Sequence, residues 1–433
     1  MANTELLYQH YLKHPIICTD TRTITPGCLF FALKGENFNA NTFAQKALEQ
    51  GAAFAIVDNE KYVSNDQYIL VPDVLTALQD LAKYHRQQLT IPVIGLTGSN
   101  GKTTTKELIK AVLQERYKTF ATNGNLNNHI GVPLSILSLT ADIEIAVIEM
   151  GANHQKEIEM LCEIAQPTHG LITNVGMAHL DGFGGFEGVK KGKAELFTYL
   201  AKHNGTAFVY ENSIDLMEMS ATAKLKEVIH YGKNSTQSIH GTLLKSDHLL
   251  EFDWTFENQT FAAKANLTGA YNFENILAAI TIGHYFNVTP QQINKGLANY
   301  FPVNNRSQIA KTEHNTIICD FYNANPSSMT AAINNLSSLE ADYKIAILAD
   351  MFELGAEAEE QHDHIGKLAS GGSINEVIFI GSNFYKGKGV YKGEYYLTVE
   401  EAIEHLKNTR YKDAMILVKG SRGMALERLL PFL

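Results

Sequence analysis

No C-x-x-C pair, no export signal, no apolar run of bilayer-crossing length, no solenoid-length repeat and no low-complexity tract occur in this chain. Each absence removes a class of protein. The four cysteines, Cys18, Cys28, Cys162 and Cys319, are scattered, which argues against a zinc cluster or disulfide scaffold and for free thiols in a reducing compartment. A Cys18–Cys28 bridge stays open at this level. The opening MANTELLYQHYLKHP lacks an apolar core flanked by a cleavage site, and no apolar run approaches about 18 residues. Neither secretion nor a membrane span is expected. Positive charge is also short: 36 Lys and Arg against 46 Asp and Glu leave a net −10, which disfavours a nucleic-acid or anionic-membrane partner while allowing a local basic pocket. What remains, 45% hydrophobic and 19% charged over 433 residues, describes a globular protein of two or three domains.

The most informative stretch is residues 91–116, IPVIGLTGSNGKTTTKELIKAVLQER. A β-branched apolar run (Ile91, Val93, Ile94, Leu96) stops at Thr97-Gly98-Ser99-Asn100-Gly101-Lys102-Thr103-Thr104. An amphipathic pattern follows, with Leu108, Ile109, Val112 and Leu113 on one face. Strand, glycine loop and helix in that order form a polyphosphate cradle. Loop amides turn inward, the helix adds its positive end, Lys102 supplies a charge and Thr103 a hydroxyl for magnesium. The common phosphate-loop pattern has its first glycine where Leu96 stands; the shorter G-x-x-G-K-T here begins at Gly98.

Strand-like and helical runs alternate along the rest of the chain, predicting an α/β protein. We expect three units: a small α/β unit over residues 1–88, a central doubly wound, mainly parallel sheet over 89–302, and a Rossmann-like α/β unit over 303–433. Strands are expected at 29–33, 53–57, 143–148, 170–175, 316–320, 344–348, 376–380 and 415–418, with helices at 42–50 and 74–87. Residues 240–267 break the rhythm and read as a small appended antiparallel sheet.

Several strand ends carry polar side chains, where ligands sit in such sheets. Glu149 closes one apolar run and is placed to reach a nucleotide-bound magnesium; its bland alternative is a helix-start carboxylate. His179 follows the next run and faces the same crevice. The glycines at 182–188 read as a mobile loop. Lys190, Lys191 and Lys193 then open a helix, against its dipole, so one of them points at phosphate or is chemically altered. Asn272 and Asn275 share a helix face and suit an adenine edge, or a helix cap. Thr19-Asp20-Thr21-Arg22, Arg306, Asp320 and Tyr322-Asn323-Ala324-Asn325-Pro326 are each weak alone.

Together these stretches resemble one family over essentially the whole chain, the ATP-dependent Mur ligases of peptidoglycan synthesis. The likeness extends to its branch that adds D-alanyl-D-alanine to UDP-N-acetylmuramoyl-tripeptide. It rests on the loop from Thr97, on Asn123-Gly124-Asn125-Leu126-Asn127-Asn128-His129, on Glu149-Met150-Gly151-Ala152-Asn153-His154 and on Asp320 to Pro326. Asp350-Met351-Phe352-Glu353-Leu354-Gly355 and Val418-Lys419-Gly420-Ser421-Arg422-Gly423 add to it.

By that resemblance Lys102 acts on the phosphates and Glu149 and His179 are magnesium ligands. Lys193 falls where the family carries a carbamylated lysine that binds a second magnesium. Asn272 and Asn275 lie on the adenine side, although the family often has His where Tyr271 stands. Arg306 meets ATP phosphates and Asp320 the ribose. Thr21 and Arg22 contact the UDP moiety, Asn125 and Asn127 the substrate, and Tyr322 and Asn325 belong with the dipeptide pocket. His362 fits the family's spacing with no metal role. The implied cofactors are ATP and Mg2+, in a cytoplasmic monomer. Competing readings are a sibling ligase, a folylpolyglutamate synthetase, or a nucleotide-gated binding module without ligase chemistry. The last has little use for Glu149, His179 and Lys193.

Overall fold

The computed structural model describes residues 2–233 and 239–433. Three sheets carry the chain. The first has four parallel strands in the order Ile17–Cys18, Leu29–Phe31, Phe54–Val57, Tyr68–Leu70. The second has nine strands; from its inner edge these are Thr119–Ala121, Ile145–Glu149, Val93–Thr97, His169–Ile172, Thr206–Tyr210 and Glu227–Gly232, all parallel, followed by Ile239–Ser246, Leu250–Phe256 and Gln259–Ala265. The third has six: Gln308–Lys311, Thr316–Cys319, Ala414–Lys419, Tyr343–Ala349, Glu376–Ile380 and Glu394–Tyr396, parallel except for the first pair. All four cysteines are free and buried.

The central strands show why their sequence runs are continuously apolar. Every residue of Val93–Thr97, Ile145–Glu149 and Thr206–Tyr210 is buried, because helices cover both faces of the sheet. Strand Val93–Thr97 has Ile145–Glu149 on one side and His169–Ile172 on the other, so successive connections leave it in opposite directions. That reversal opens a crevice at the carboxyl ends of these strands. The register pairs Leu96 with Glu149 and Thr97 with Ile172, which brings the phosphate loop, Glu149 and the segment after Ile172 to one level.

Several local expectations are corrected. Residues 239–265 are antiparallel among themselves, but Tyr231 and Gly232 pair in parallel with Ile239 and His240, so these strands continue the central sheet instead of forming a separate one. Trp254 is fully buried there, donating from Nε1 to Asn294 Oδ1 at 2.8 Å, which fastens the extension to helix Pro290–Asn299. The glycine segment 182–188 is no open loop. Leu180–Phe183 is a helical turn, and a new helix starts at Phe186, with Gly185 supplying the left-handed φ of +95° before it. Lys190, Lys191 and Lys193 therefore stand inside that helix, past the turn where they would oppose its dipole. Strands Gln308–Lys311 and Glu394–Tyr396, at sheet edges where fewer apolar neighbours are needed, were not expected, and neither were Thr206–Tyr210 and Glu227–Gly232 inside the central sheet.

Helix Val74–Gln87 belongs to the N-terminal stretch yet lies against helices Gly131–Leu137 and Glu157–Ala165 beside the central sheet. Buried Arg86 ties it down by donating to the carbonyls of Ala165 (3.0 Å), Leu89 (2.7 Å), Gln166 (3.2 Å) and Ile91 (3.4 Å). Tyr11 donates to Leu137 O at 2.7 Å, and His85 Nε2 lies 2.9 Å from Leu139 O. Replacing Arg86 by Met keeps the stem but orphans these acceptors, so Arg86→Met is expected to lower unfolding free energy by about 3 kcal/mol. A urea midpoint equal to that of the parent protein would contradict this.

Candidate active site

The phosphate loop runs from Thr97 to Lys102 and enters helix Lys102–Leu113 through Gly101, whose φ is +76°. Two glycines are required here. A Cβ on Gly98 (φ +148°) would stand 1.9 Å from Thr173 Oγ1, and one on Gly101 would stand 2.7 Å from Asn275 Oδ1. Lys102 Nζ donates to the carbonyls of Gly98 (2.6 Å) and Ser99 (3.1 Å). Desolvation pushes its pKa down to about 8; Glu149 opposes this and Arg306 adds to it. The segment after strand His169–Ile172 braces the loop: Asn174 Oδ1 accepts from Asn100 N at 2.9 Å, Ser99 Oγ donates to Gly176 O at 3.0 Å, and Thr173 Oγ1 donates to Asn100 O at 2.6 Å.

Beside the loop, Glu149 is only 1% exposed. Its carboxylate accepts from Thr103 Oγ1 (2.9 Å) and Asn127 Nδ2 (2.8 Å), and Lys106 Nζ lies 3.8 Å away. Lys106 is completely buried, donates to Thr122 O at 2.5 Å and pairs with Glu107 at 3.0 Å. It escaped the sequence reading, although its place four residues after Lys102 on one helix face was a usable signal.

His179 has a left-handed backbone (φ +54°). Its Nδ1 is buried and lies 2.5 Å from Oε2 of Glu353, an ion-pair distance with the ring N–H out of line for a hydrogen bond. The imidazole holds the Glu353 carboxyl below its usual range. Lys193 sits just below the cavity floor, 1% exposed, with Nζ 3.4 Å from Ala152 O and 5.1 Å from the Phe183 ring centre. Burial, reinforced by Lys102, pushes its pKa well below the ordinary lysine value.

The far wall of the cavity comes from helix Asn272–Tyr285 and the third sheet. Asn272 donates to Thr268 O (2.7 Å) and Ser307 Oγ (3.2 Å), and Asn275 donates to Asn272 Oδ1 (3.0 Å) while accepting from Thr105 Oγ1 (3.0 Å). The pair thus clips its helix to the loop helix, with both amides facing the cavity. Asp320 is held by Lys419 Nζ at 2.6 Å and by Ser307 N at 3.1 Å. Lys419, 2% exposed, is a second residue to which the sequence reading gave no role. Arg306 stacks on Tyr322 at 3.9 Å, and its Nε is buried without a protein partner. Asn325 caps helix Pro326–Ser338 and reaches across to the loop, donating to Asn100 Oδ1 at 2.8 Å; Asn100 Nδ2 in turn donates to Ser327 Oγ at 2.9 Å.

One cavity of about 680 Å³ gathers Ser99 to Lys102, Thr104, Asn125, Asn127, Glu149, His179, Asn272, Asn275, Arg306, Asp320, Tyr322 and Asn325. Thr103 faces Glu149 at its edge, Thr97 and Gly98 begin the loop without lining the cavity, and Lys193 lies behind Ala152. Thr21 and Arg22 are apart from it, on the exposed turn Thr21–Thr23, where the Arg22 guanidinium pairs with Asp20. His362 is structural: it is buried, with Nε2 accepting from Met351 N at 3.0 Å. Among the described residues no group of three or more His, Cys, Asp or Glu could by itself hold a metal.

A glycine phosphate loop at a sheet's switch point, a buried strand-end carboxylate and a third unit closing over both define a nucleotide-using enzyme of the ligase type. Three family models match in order: "Mur ligase family, catalytic domain" over residues 15–86, "Mur ligase middle domain" over 96–283 and "Mur ligase, glutamate ligase domain" over 305–422. The chain belongs to the Mur ligase family. It is 37% identical to the UDP-N-acetylmuramoyl-tripeptide--D-alanyl-D-alanine ligase of Escherichia coli (strain K12), over 95% of this chain and 92% of that one. With the Bacillus subtilis (strain 168) enzyme of the same name it shares 36%, over 99% and 94%. A crystal structure of MurF from Acinetobacter baumannii superposes with TM-score 0.90 at 29% identity, covering 99% of this chain and 98% of that one. MurF from Thermotoga maritima, solved in complex with ADP, gives 0.85 at 26% identity, covering 100% and 98%.

Two predictions come from this geometry. Lys106→Met leaves the Glu149 carboxylate buried without its cation and should lower stability by about 3 kcal/mol. Magnesium with ADP should restore part of that loss; a deficit unchanged by them would show that Lys106 supports the helix and not the carboxylate. Separately, the free Lys102 ammonium, with a pKa of about 8, must be charged to hold phosphate, and bound phosphate raises that pKa. ADP affinity should therefore be flat below about pH 8 and fall about tenfold per unit above it, with proton uptake on binding. Calorimetry showing constant affinity from about pH 7 to 9.5 would refute the assignment.

Proposed function

We propose that this chain uses ATP to join D-alanyl-D-alanine to UDP-N-acetylmuramoyl-tripeptide, giving the pentapeptide, ADP and phosphate, as a cytoplasmic monomer. The observation that carries the reading is a single cavity in which the phosphate loop and Glu149 of the central sheet meet Arg306, Asp320, Tyr322 and Asn325 of the C-terminal unit. Among the described residues no helix is long and apolar enough to cross a membrane.

A carboxylate is a poor electrophile, so the tripeptide's terminal carboxylate attacks the γ-phosphorus of ATP, forming an acyl phosphate as ADP leaves. The dipeptide amine then attacks the acyl carbon, and the tetrahedral intermediate expels phosphate as the amine gives up a proton. No side chain need become a covalent nucleophile. Two anions must approach in the first step. Lys102 and the loop amides hold the phosphates, and Arg306, with an unpartnered Nε, meets the charge that shifts onto ADP. Asn127 steadies Glu149, while Asn125, Tyr322 and Asn325 line the substrate side. Docking of the C-terminal unit over the loop keeps water from the acyl phosphate.

The residues present suit magnesium. Thr103 Oγ1, Glu149 and His179 offer hard or borderline donors, too few to cage an ion alone, which matches an ion whose remaining ligands are phosphates and water. Bound there, it would neutralise phosphate charge. Lys193 fits the family's modified lysine: burial lowers its pKa and so favours the neutral amine, the form that adds carbon dioxide to give a carbamate and release a proton. In the N-terminal unit, Thr21 and Arg22, the latter paired with Asp20, stand on a surface turn from which they would contact the UDP moiety.

Phosphate release from ATP, measured with lysine- and diaminopimelate-type tripeptides and with or without D-alanyl-D-alanine, tests the reading. Release should require the dipeptide, yield a product of pentapeptide mass, and fall about a hundredfold or more in Lys102→Ala. No turnover with either tripeptide would send the assignment to a sibling ligase, and nucleotide binding without turnover on any acceptor to a binding module.

A further inference from the structure

The segment Asp350–Gly355 has no part in the scheme above, yet it is held more firmly than an ordinary connecting loop. Asp350 accepts from the amides of Asn383 (2.9 Å) and Phe384 (3.0 Å), Met351 N donates to His362, and Phe352 N donates to Ser421 Oγ at 2.9 Å. Three consecutive residues are thereby fixed before the chain reaches Glu353, whose backbone is left-handed (φ +63°). Glu353 then projects out of the C-terminal unit to His179 of the central one, with Oε2 2.5 Å from Nδ1. Two residues later a second contact forms: Gly355 (φ +55°) lies against Asp181, so closely that a Cβ would be 2.8 Å from its Oδ1.

Stability alone does not explain this arrangement. Left-handed backbone in non-glycine residues costs on the order of 1 kcal/mol each, and both partners adopt it. The Glu353 side chain is 56% exposed, and exposed ion pairs return only about 0–1 kcal/mol. Strain that is over-determined by its surroundings and not offset by the contact it makes belongs with function.

We infer that Glu353 is a positioning residue for His179. Its carboxylate occupies Nδ1 from across the domain boundary, which leaves Nε2 as the ring nitrogen free to bind a cation in the cavity. The present misalignment of the Nδ1 proton is of the kind that tightens when a site is loaded. A carboxylate behind an imidazole ligand fixes its tautomer and raises its basicity, and losing it costs about 10- to 100-fold in metal affinity. Docking of the C-terminal unit and completion of the cation site thus become one event. The inference rests on the proposed role of His179 as a cation ligand.

Manganese serves as the probe. Its binding to the full-length protein in the presence of ADP is followed by the electron paramagnetic resonance signal of the free ion, for the parent protein, Glu353→Ala, Glu353→Gln and His179→Ala, with melting temperatures recorded alongside. Glu353→Ala should weaken manganese binding about tenfold or more at an unchanged melting temperature. Glu353→Gln, which keeps an acceptor oxygen, should recover part of the loss. If His179→Ala weakens binding but Glu353→Ala does not, the positioning role is wrong and the ligand role of His179 stands. If His179→Ala leaves binding intact, both fall together.

Discussion

A carboxylate buried at a strand end is unfavourable by several kcal/mol unless donors and a cation surround it, and Glu149 is buried in that way. Its surroundings are drawn from separate parts of the chain. Thr103 and Lys106 come from the helix after the phosphate loop, Asn127 from the segment that follows the edge strand, and Thr122 Oγ1 accepts from the Glu149 amide at 3.0 Å. The carboxylate therefore fixes how the loop helix, the strand and the Asn123–Asn128 segment sit together, and the same fixing gives the cavity its anionic corner.

The two flanking units join the central sheet by different means. On the N-terminal side the contact is a helix face completed by buried side chains that donate to backbone carbonyls, with Arg86 alone serving four. On the C-terminal side, polar side chains meet across the boundary: Asn100 with Asn325 and Ser327, Thr268 with Asn335, and His179 with Glu353. Contacts of the second kind can be remade at modest expense, which is the usual character of boundaries that move. In the proposed scheme, residues on the substrate side of such a boundary would let ATP and a large acceptor enter before water is excluded.

Much of this was legible in the sequence because its signals were local. The continuous apolar runs marked most of the buried parallel strands, though not Thr206–Tyr210, and Gly98, Gly101 and Lys102 marked the phosphate loop. Glu149 and His179 could be placed in one crevice from their positions at strand ends. What escaped depended on partners distant in sequence. Lys106 reads as an ordinary helix lysine until Glu149 and Thr122 are seen beside it, and Lys419 is unremarkable until Asp320 arrives from 99 residues away. The helix that begins at Phe186 was expected only from Lys190, because the glycines were read as mobility, whereas Gly185 serves as its left-handed entry and Gly188 lies within it. The edge strands lacked the apolar run that marks a central one.

Charge around the cavity must serve opposing demands. Phosphates and an attacking carboxylate call for cations, but cations crowded out of water repel, and here Lys102 and Arg306 each bear on the other lysine of the site or on one another: Arg306 lowers the pKa of Lys102, and Lys102 that of Lys193. A further cation behind Ala152 would add to that repulsion without reaching the phosphates. In the proposed scheme burial eases the conflict by favouring the neutral form of Lys193, and on taking up carbon dioxide it would present an anion to a metal ion. The burial that makes a lysine a poor cation at this position is what makes it a competent amine.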